Sequence, residues 1–289
     1  VTRNTTVGLE GGEFILHPEA DAIMEWFMNN HPNYTLLSNC LKPQRVIEAV
    51  RKYHPVHLYV SLDGNKEVYK EMRGCDGHDK VVEVVKALNN VVPLSLMFCL
   101  SPWNSFSDME YVINMAREYN IDVRIGIYGT MDFFDTKADL LAADLSNFIQ
   151  NIPQNIHDTE ENFDFVALYE EWRNGHLRLR CQSIFSELVI HSNGDVPLCQ
   201  NLNVKLGNIH ENSLDDIFNS RNTQQIQCRY SKECNACWIN FHRKFDLILL
   251  RNLERVFPKR IIEIFYGKYQ WTNNSKITYR KQIKRIRKI

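Results

Sequence analysis

Four of the eight cysteines have a spacing that suits thiolate ligation. Cys234 and Cys237 form a CxxC pair, and Cys181 and Cys199 lie upstream with seventeen residues between them. Disulfides are disfavoured, because the chain reads as cytosolic and at 289 residues is too long to need covalent staples. Two readings stay open. A cysteine zinc site usually shows two CxxC pairs and only one is present, while four thiolates can also hold an iron–sulfur cluster. By spacing alone zinc stands slightly ahead. Cys228 is left over from the cluster. Cys40, Cys75 and Cys99 are scattered through the first half, and Cys99, in an apolar run, reads as a packed core thiol.

A second group of candidates lies near the start, in Gly11-Gly12-Glu13. Two adjacent glycines between an apolar run and a helical pattern indicate a place where something approaches the backbone. Polar residues recur at comparable points: Ser38 and Asn39, Ser61 and Asp63, Ser101 and Asn104, and Tyr128. Turn chemistry accounts for any one of these, since Ser, Asn, Asp and Gly end strands in any protein. Their recurrence at strand after strand is harder to assign to turns alone.

The elements that must position these residues alternate. Strands are expected over 5–12, 34–39, 57–64, 94–104 and 123–129. Helices fall between them, over 18–28, from Pro43 through PQRVIEAVRKY, over 80–90 and through MEYVINMAREY. Pro43 suits a first helical turn, and Val81, Val84, Val85 and Leu88 share one helical face. Strand–helix alternation of this kind predicts a parallel sheet with crossover helices, whose carboxyl strand ends carry the site. Further on, Leu188–Cys199 reads as a hairpin turning at Asn193-Gly194, and Ser213 as the cap of a short acidic helix.

Hydrophobic content of 44% and charged content of 24% are ordinary for a globular enzyme. The net charge of −1 is unevenly spread: residues 276–289 hold seven Lys and Arg and no acid, so the rest sums to −8. An acidic body gives no nucleic-acid signature. The apolar run Val91–Leu100 is short and interrupted by Pro93, too little to cross a bilayer, and no secretory signal is visible. Ile283, Ile286 and Ile289 sit among the basic residues of the tail. This predicts a peripheral contact with an anionic membrane or an acidic carrier, against the plainer reading of a solvated terminus.

Taken in order, these motifs resemble the radical S-adenosylmethionine superfamily, in the subgroup with a C-terminal SPASM or twitch domain. Gly11-Gly12-Glu13 is similar to the family's GGE at the end of the second barrel strand, with Phe14 where proline is common. SLDG (Ser61–Gly64) and the following Arg73-Gly74 resemble its fourth-strand segment. Cys181-x12-Gly194-x4-Cys199, LGNIHENSLDDIFNS and ECNACW resemble the second domain's opening, middle and close. The resemblance implies a partial (β/α)6 TIM-like barrel lacking its first strand and cluster loop (1–160). It further implies a small α+β cysteine-rich twitch domain with a β-hairpin (161–245), then a helical segment with a basic tail (246–289).

The resemblance also implies chemistry. S-Adenosylmethionine and a catalytic [4Fe–4S] cluster would yield a 5′-deoxyadenosyl radical that abstracts hydrogen from a peptide or small-molecule substrate. One auxiliary [4Fe–4S] cluster on Cys181, Cys199, Cys234 and Cys237 would transfer electrons. Gly11, Gly12 and Glu13 would meet the methionyl ammonium, with Ser38 and Asn39 beside them. Ser61, Asp63 and Asn104 would meet ribose and carboxylate, Arg73 the carboxylate, and Tyr128 the adenine; no residue is assigned as catalytic. A cytoplasmic location and an electron donor such as a flavodoxin or ferredoxin are expected. The 289 residues contain no CxxxCxxC, the family's catalytic-cluster motif, and start at Val1. That motif is therefore expected in a preceding segment, the alternative being a non-catalytic iron–sulfur or zinc scaffold on the same fold.

Overall fold

The computed structural model describes residues 5–128 and 163–271. The chain divides into two compact units, Val1–Gly126 and Ile127–Ile289. The domain boundary expected at 160/161 lies outside the described residues.

The first unit is built on a five-stranded sheet whose spatial order equals its chain order: β1 (Val7–Leu9), β2 (Tyr34–Ser38), β3 (His57–Ser61), β4 (Leu94–Leu100) and β5 (Asp122–Ile127). The pairs β1–β2, β2–β3 and β3–β4 are parallel. Helices α1 (Ala20–Asn30), α2 (Pro43–Tyr53), α3 (Lys66–Arg73), α4 (His78–Leu88) and α5 (Phe106–Glu118) make the crossovers. Strands that follow one another without reversal form the wall of a TIM-like barrel, the expected fold class.

Local sequence explains these elements. In α2, Pro43 occupies the first turn as expected, and Val46, Ile47, Ala49, Val50 and Tyr53 are buried. In α4 the stripe Val81, Val84, Val85 and Leu88 is buried as its spacing predicts. One face of the sheet, with Leu36, Leu58, Val60, Leu96, Phe98 and Ile125, is fully buried. The alternate face is only half-buried at Leu37, Tyr59, Ser61, Met97, Cys99 and Arg124. A parallel sheet with helices on both sides is apolar on both faces. The wetter face here is the inner wall of a barrel.

The second unit contains α6 (Phe163–Ala167), α7 (Tyr169–Arg173), α8 (Ser183–Ser186), β6 (Asp195–Pro197), β7 (Lys205–Asn208), α9 (Leu214–Asn219), α10 (Arg221–Glu233), α11 (Asn240–Val256) and α12 (Lys259–Tyr266). Helix α11 runs without a break through residue 245. The hairpin differs from expectation. The turn forms, with Gly194 at φ +83° and its N–H donating to the His191 carbonyl at 2.9 Å. Yet β6 pairs antiparallel with β7, not with residues 188–190. Leu188 and Ile190 stay exposed, whereas Val196 and Leu198 are buried. Polar contacts fix the partner: the Asn208 amide donates to Asp195 Oδ1 at 2.8 Å and to the Asn193 carbonyl at 3.1 Å. Ser213 caps α9 as expected, accepting from the Asp216 N–H at 3.1 Å.

Candidate functional site

Gly11 and Gly12 come just after β1. Gly11 has φ +118°, a conformation that L side chains rarely adopt, and a Cβ at either glycine would meet nothing within 4 Å. The backbone here is bare and borders open space, which suits the approach of a ligand. Glu13 turns its carboxylate toward the neighbouring strand end. Its Oε1 accepts from the Ser38 hydroxyl at 2.7 Å, and its Oε2 from the Asn39 N–H at 2.7 Å. Ser38 Oγ accepts in turn from the Cys40 N–H at 3.0 Å, and Asn39 Oδ1 from the Leu41 N–H at 3.0 Å. Cys40 is held at φ +59°, a left-handed conformation that a non-glycine residue keeps only where its surroundings impose it. Glu13 is therefore half-buried and fastens the β1 end to the β2 end.

A second knot joins the ends of β3 and β4. The Asp63 side chain is 2% exposed, and its Oδ2 accepts from Arg73 Nε at 2.6 Å. Its Oδ1 accepts from the Cys99 N–H at 3.2 Å. The Asn104 amide donates to the Cys99 carbonyl at 2.8 Å and accepts from the Ser101 N–H at 2.9 Å. Asp63, Arg73 and Asn104 were expected to face a cofactor. The structure brings them together, but as a brace whose polar groups are turned on one another and on the backbone. Ser61 ends β3 and Tyr128 follows β5, both half-buried.

The inner wall carries a network that sequence reasoning missed. His57 Nε2 lies 2.8 Å from Ser95 Oγ, which donates to Asp122 Oδ2 at 2.8 Å, and Arg124 Nε donates to the same oxygen at 2.8 Å. Tyr59 stacks on His57 with ring centroids 4.4 Å apart. Burial, with the nearby Arg124 charge, pushes the His57 imidazole down to about 4. The signal was available, because His57, Tyr59, Ser95 and Arg124 interrupt apolar strands at alternate positions.

In the second unit the CxxC loop is tied to the segment before Cys181. The Asn235 amide donates to the Leu177 carbonyl at 3.3 Å and accepts from the Leu179 N–H at 3.3 Å. The Asn235 carbonyl accepts from the Trp172 indole at 2.9 Å, and the Trp238 indole donates to the Phe165 carbonyl at 2.9 Å. Cys181, Cys199 and Cys234 are near enough that their charges act on Cys237, whose thiol burial pushes up to about 12. Burial likewise raises Cys181 to about 11, and raises Cys199 against N–H donation from Asn201 and Leu202. Arg243 was also missed. Its side chain is 0% exposed, donating to the Cys237 carbonyl at 3.0 Å and pairing with Asp246 at 3.1 Å, and its charge favours the thiolates of Cys181 and Cys237. A fully buried arginine is rare unless paired, and here it supplies a cation beside an anionic donor set. The sequence hint was the Arg243-x-x-Asp246 spacing, which puts opposite charges one turn apart on α11.

Zinc needs its sulfurs about 2.3 Å from one centre, whereas a four-iron cube spreads its thiolates over separate corners. Among the described residues, no group of three His, Cys, Asp or Glu is gathered as a single-ion site.

The first unit is a parallel wall of a TIM-like barrel with a bare strand end, and the second unit carries the four candidate cysteines, two of which, Cys181 and Cys237, feel the buried Arg243. Residues 181–238 match the SPASM family, an iron–sulfur cluster-binding domain. Over 271 residues the chain is 22% identical to the antilisterial bacteriocin subtilosin biosynthesis protein AlbA of Bacillus subtilis (strain 168), covering 83% of this chain and 59% of that protein. The fold resembles Streptococcus suis SuiB bound to precursor peptide SuiA, at TM-score 0.58 and 17% identity, over 77% of this chain and 56% of SuiB. It also resembles native anSMEcpe with bound AdoMet, at TM-score 0.52 and 17% identity, over 81% of this chain and 73% of that one. The resemblance to the radical S-adenosylmethionine superfamily therefore holds for the fold, and the SPASM resemblance for residues 181–238.

Proposed function

We propose that the chain is the barrel and auxiliary-cluster part of a radical S-adenosylmethionine enzyme that modifies a peptide. The observation that carries this reading is the open backbone at Gly11 and Gly12 on a parallel strand end, in the same chain as the four-thiol SPASM segment. When bound, S-adenosylmethionine and its reduced cluster supply hydrogen-atom abstraction. The protein's own residues do the rest. Gly11 and Gly12 leave room for the methionyl group. Glu13 sets the Ser38–Asn39 loop beside them, and its remaining lone pairs would accept from the ammonium. Asp63, Arg73 and Asn104 hold the β3 and β4 ends in register, and Ser61 at the β3 end would border the ribose. Cys181, Cys199, Cys234 and Cys237 would hold the auxiliary cluster, with Arg243 offsetting its negative charge. A flavodoxin or ferredoxin is the proposed donor.

A peptide is favoured as substrate because AlbA is named for bacteriocin biosynthesis, SuiB was solved with a precursor peptide, and anSMEcpe with the Kp18Cys peptide. The test uses the protein extended by whatever coding sequence precedes Val1, reconstituted with iron and sulfide without oxygen and reduced in the presence of S-adenosylmethionine. Release of 5′-deoxyadenosine is expected, with a CxxxCxxC roughly 30 residues before Gly11. A protein lacking that motif, releasing none, and binding zinc at Cys181 and Cys199 would be the non-catalytic scaffold.

A further inference from the structure

Helix α11 reaches both halves of the thiol set through one buried ion pair. Arg243 and Asp246 lie one turn apart, their side chains 0% and 2% exposed, with Arg243 Nη1 3.1 Å from Asp246 Oδ2. Arg243 also donates from Nε to the Cys237 carbonyl at 3.0 Å and from Nη2 to Asn235 Oδ1, inside the CxxC loop, at 3.3 Å. Asp246 uses its other oxygen to accept from the Gln182 N–H, next to Cys181, at 3.1 Å. The guanidinium thus holds the CxxC loop, and the carboxylate holds the segment after Cys181.

Stability alone does not account for such a pair. Two charges taken out of water lose hydration that their attraction scarcely offsets, and apolar side chains can fill the same space without that loss. What the pair adds is direction. A guanidinium presents its N–H groups in a rigid planar fork, and here they meet a carbonyl, an amide oxygen and a carboxylate at once. A lysine ammonium on its flexible stem does not reproduce this. The pair also adds a field. The Arg243 charge acts on both Cys181 and Cys237, and that of Asp246 on Cys181. Buried charges are little screened by salt.

We propose that Arg243 and Asp246 are the positioning residues of the auxiliary-cluster site: they hold the Cys181 and Cys237 segments in register for the cluster, and they set its reduction potential with opposite signs. This rests on the reading of Cys181, Cys199, Cys234 and Cys237 as cluster ligands. Reduction adds an electron to a site that four thiolates already make anionic, so Arg243 stabilises the reduced form and Asp246 opposes it. The segment after Cys181 has a second anchor on α11. His242 Nδ1 meets the Ser183 hydroxyl and lies 2.9 Å from Glu187 Oε2. The segment therefore stays on the helix when the pair is altered.

The test uses the 289-residue chain, reconstituted with iron and sulfide without oxygen. It contains no CxxxCxxC, so the auxiliary cluster is the one that loads. R243Q, R243K and D246N are compared with the unaltered chain by iron content, by iron loss to a chelator, and by redox titration followed by electron paramagnetic resonance. The unaltered chain should hold about four irons. R243K keeps the charge but not the fork, so its potential should stay near the parent's while iron leaves several-fold faster. R243Q should favour the oxidised cluster at least about tenfold, which is about 59 mV to lower potential for one electron, and D246N should shift it the other way. Equal potentials in R243Q, D246N and the parent would leave the pair as packing and overturn its electrostatic part. Equal iron loss from R243K and the parent would overturn the clamp. If R243Q holds no iron, the direction of the D246N shift decides. An unaltered chain that takes up zinc, or no iron at all, would sink the cluster reading itself and this inference with it.

Discussion

The Glu13 carboxylate and the Ser38 hydroxyl lie 2.7 Å apart, and the Asn39 N–H meets the other carboxylate oxygen at the same distance. A side chain just after β1 thus becomes part of the loop after β2. The bare backbone of Gly11 and Gly12 is held in place by the residue that follows it.

Replacing Glu13 by Ala removes both acceptors and leaves the Asn39 N–H without its partner. An unsatisfied, partly buried donor costs about 1–3 kcal/mol. Glu13→Gln keeps an oxygen for the Asn39 N–H and an amide for Ser38 Oγ, so it should stay within about 0.5 kcal/mol of the parent. Urea unfolding of the two variants checks this. Equal midpoints for Glu13→Ala and the parent would show that the bracket contributes nothing.

Arg73→Ala would leave the buried Asp63 carboxylate without its cation. Breaking such a pair costs about 3 kcal/mol. Adding Asp63→Asn removes the stranded charge while keeping an acceptor for the Cys99 N–H, so the double variant should recover most of the loss. A double-mutant cycle measures it, and a double variant as unstable as Arg73→Ala would refute the brace.

The depressed His57 gives a pH dependence with a definite sign. Its imidazole titrates near 4 when folded, against an ordinary value of 6.5. Above pH 6.5 neither state holds the proton and the stabilisation is complete. Between 6.5 and 4 the unfolded chain takes up a proton that the folded chain refuses, so stability falls as pH falls, by up to about 3 kcal/mol at roughly 1.4 kcal/mol per unit. Below 4 this site adds no further loss. His57→Gln should lose less stability between pH 7.5 and pH 5 than the parent. Parallel losses in the two proteins would remove His57 as the cause.

Cys228 is exposed on α10, apart from the four thiols that sense one another. Cys228→Ala should therefore keep about four irons per chain and the thiolate-to-iron absorption after anaerobic reconstitution of these 289 residues. Cys237→Ala should lose both. Loss of the absorption band in Cys228→Ala would mean that the ligand set has been misassigned.

The regular parts of the first unit were legible because their information is local. Pro43 and the stripe Val81, Val84, Val85 and Leu88 each act within a few residues, and the helices form where that spacing predicts. The hairpin was not legible in the same way. Asn193-Gly194 specifies a turn, but which strand pairs with β6 depends on Asn208, thirteen residues beyond Asp195.

By itself, the sequence determined the alternation of strand and helix, the position of the bare glycines, and the four cysteines with their spacing. These follow from side-chain periodicity and backbone freedom, which are properties of short segments. Only the tertiary structure decided what the polar residues do. Asp63 and Arg73, ten residues apart, close on each other because both are carried to the ends of neighbouring elements. Arg243 reaches the thiols because α11 packs it away from water with Asp246 as its counter-ion. A charge that looks free in a sequence finds its partner only when folding removes the water between them, and that partner decides whether it can still meet a ligand.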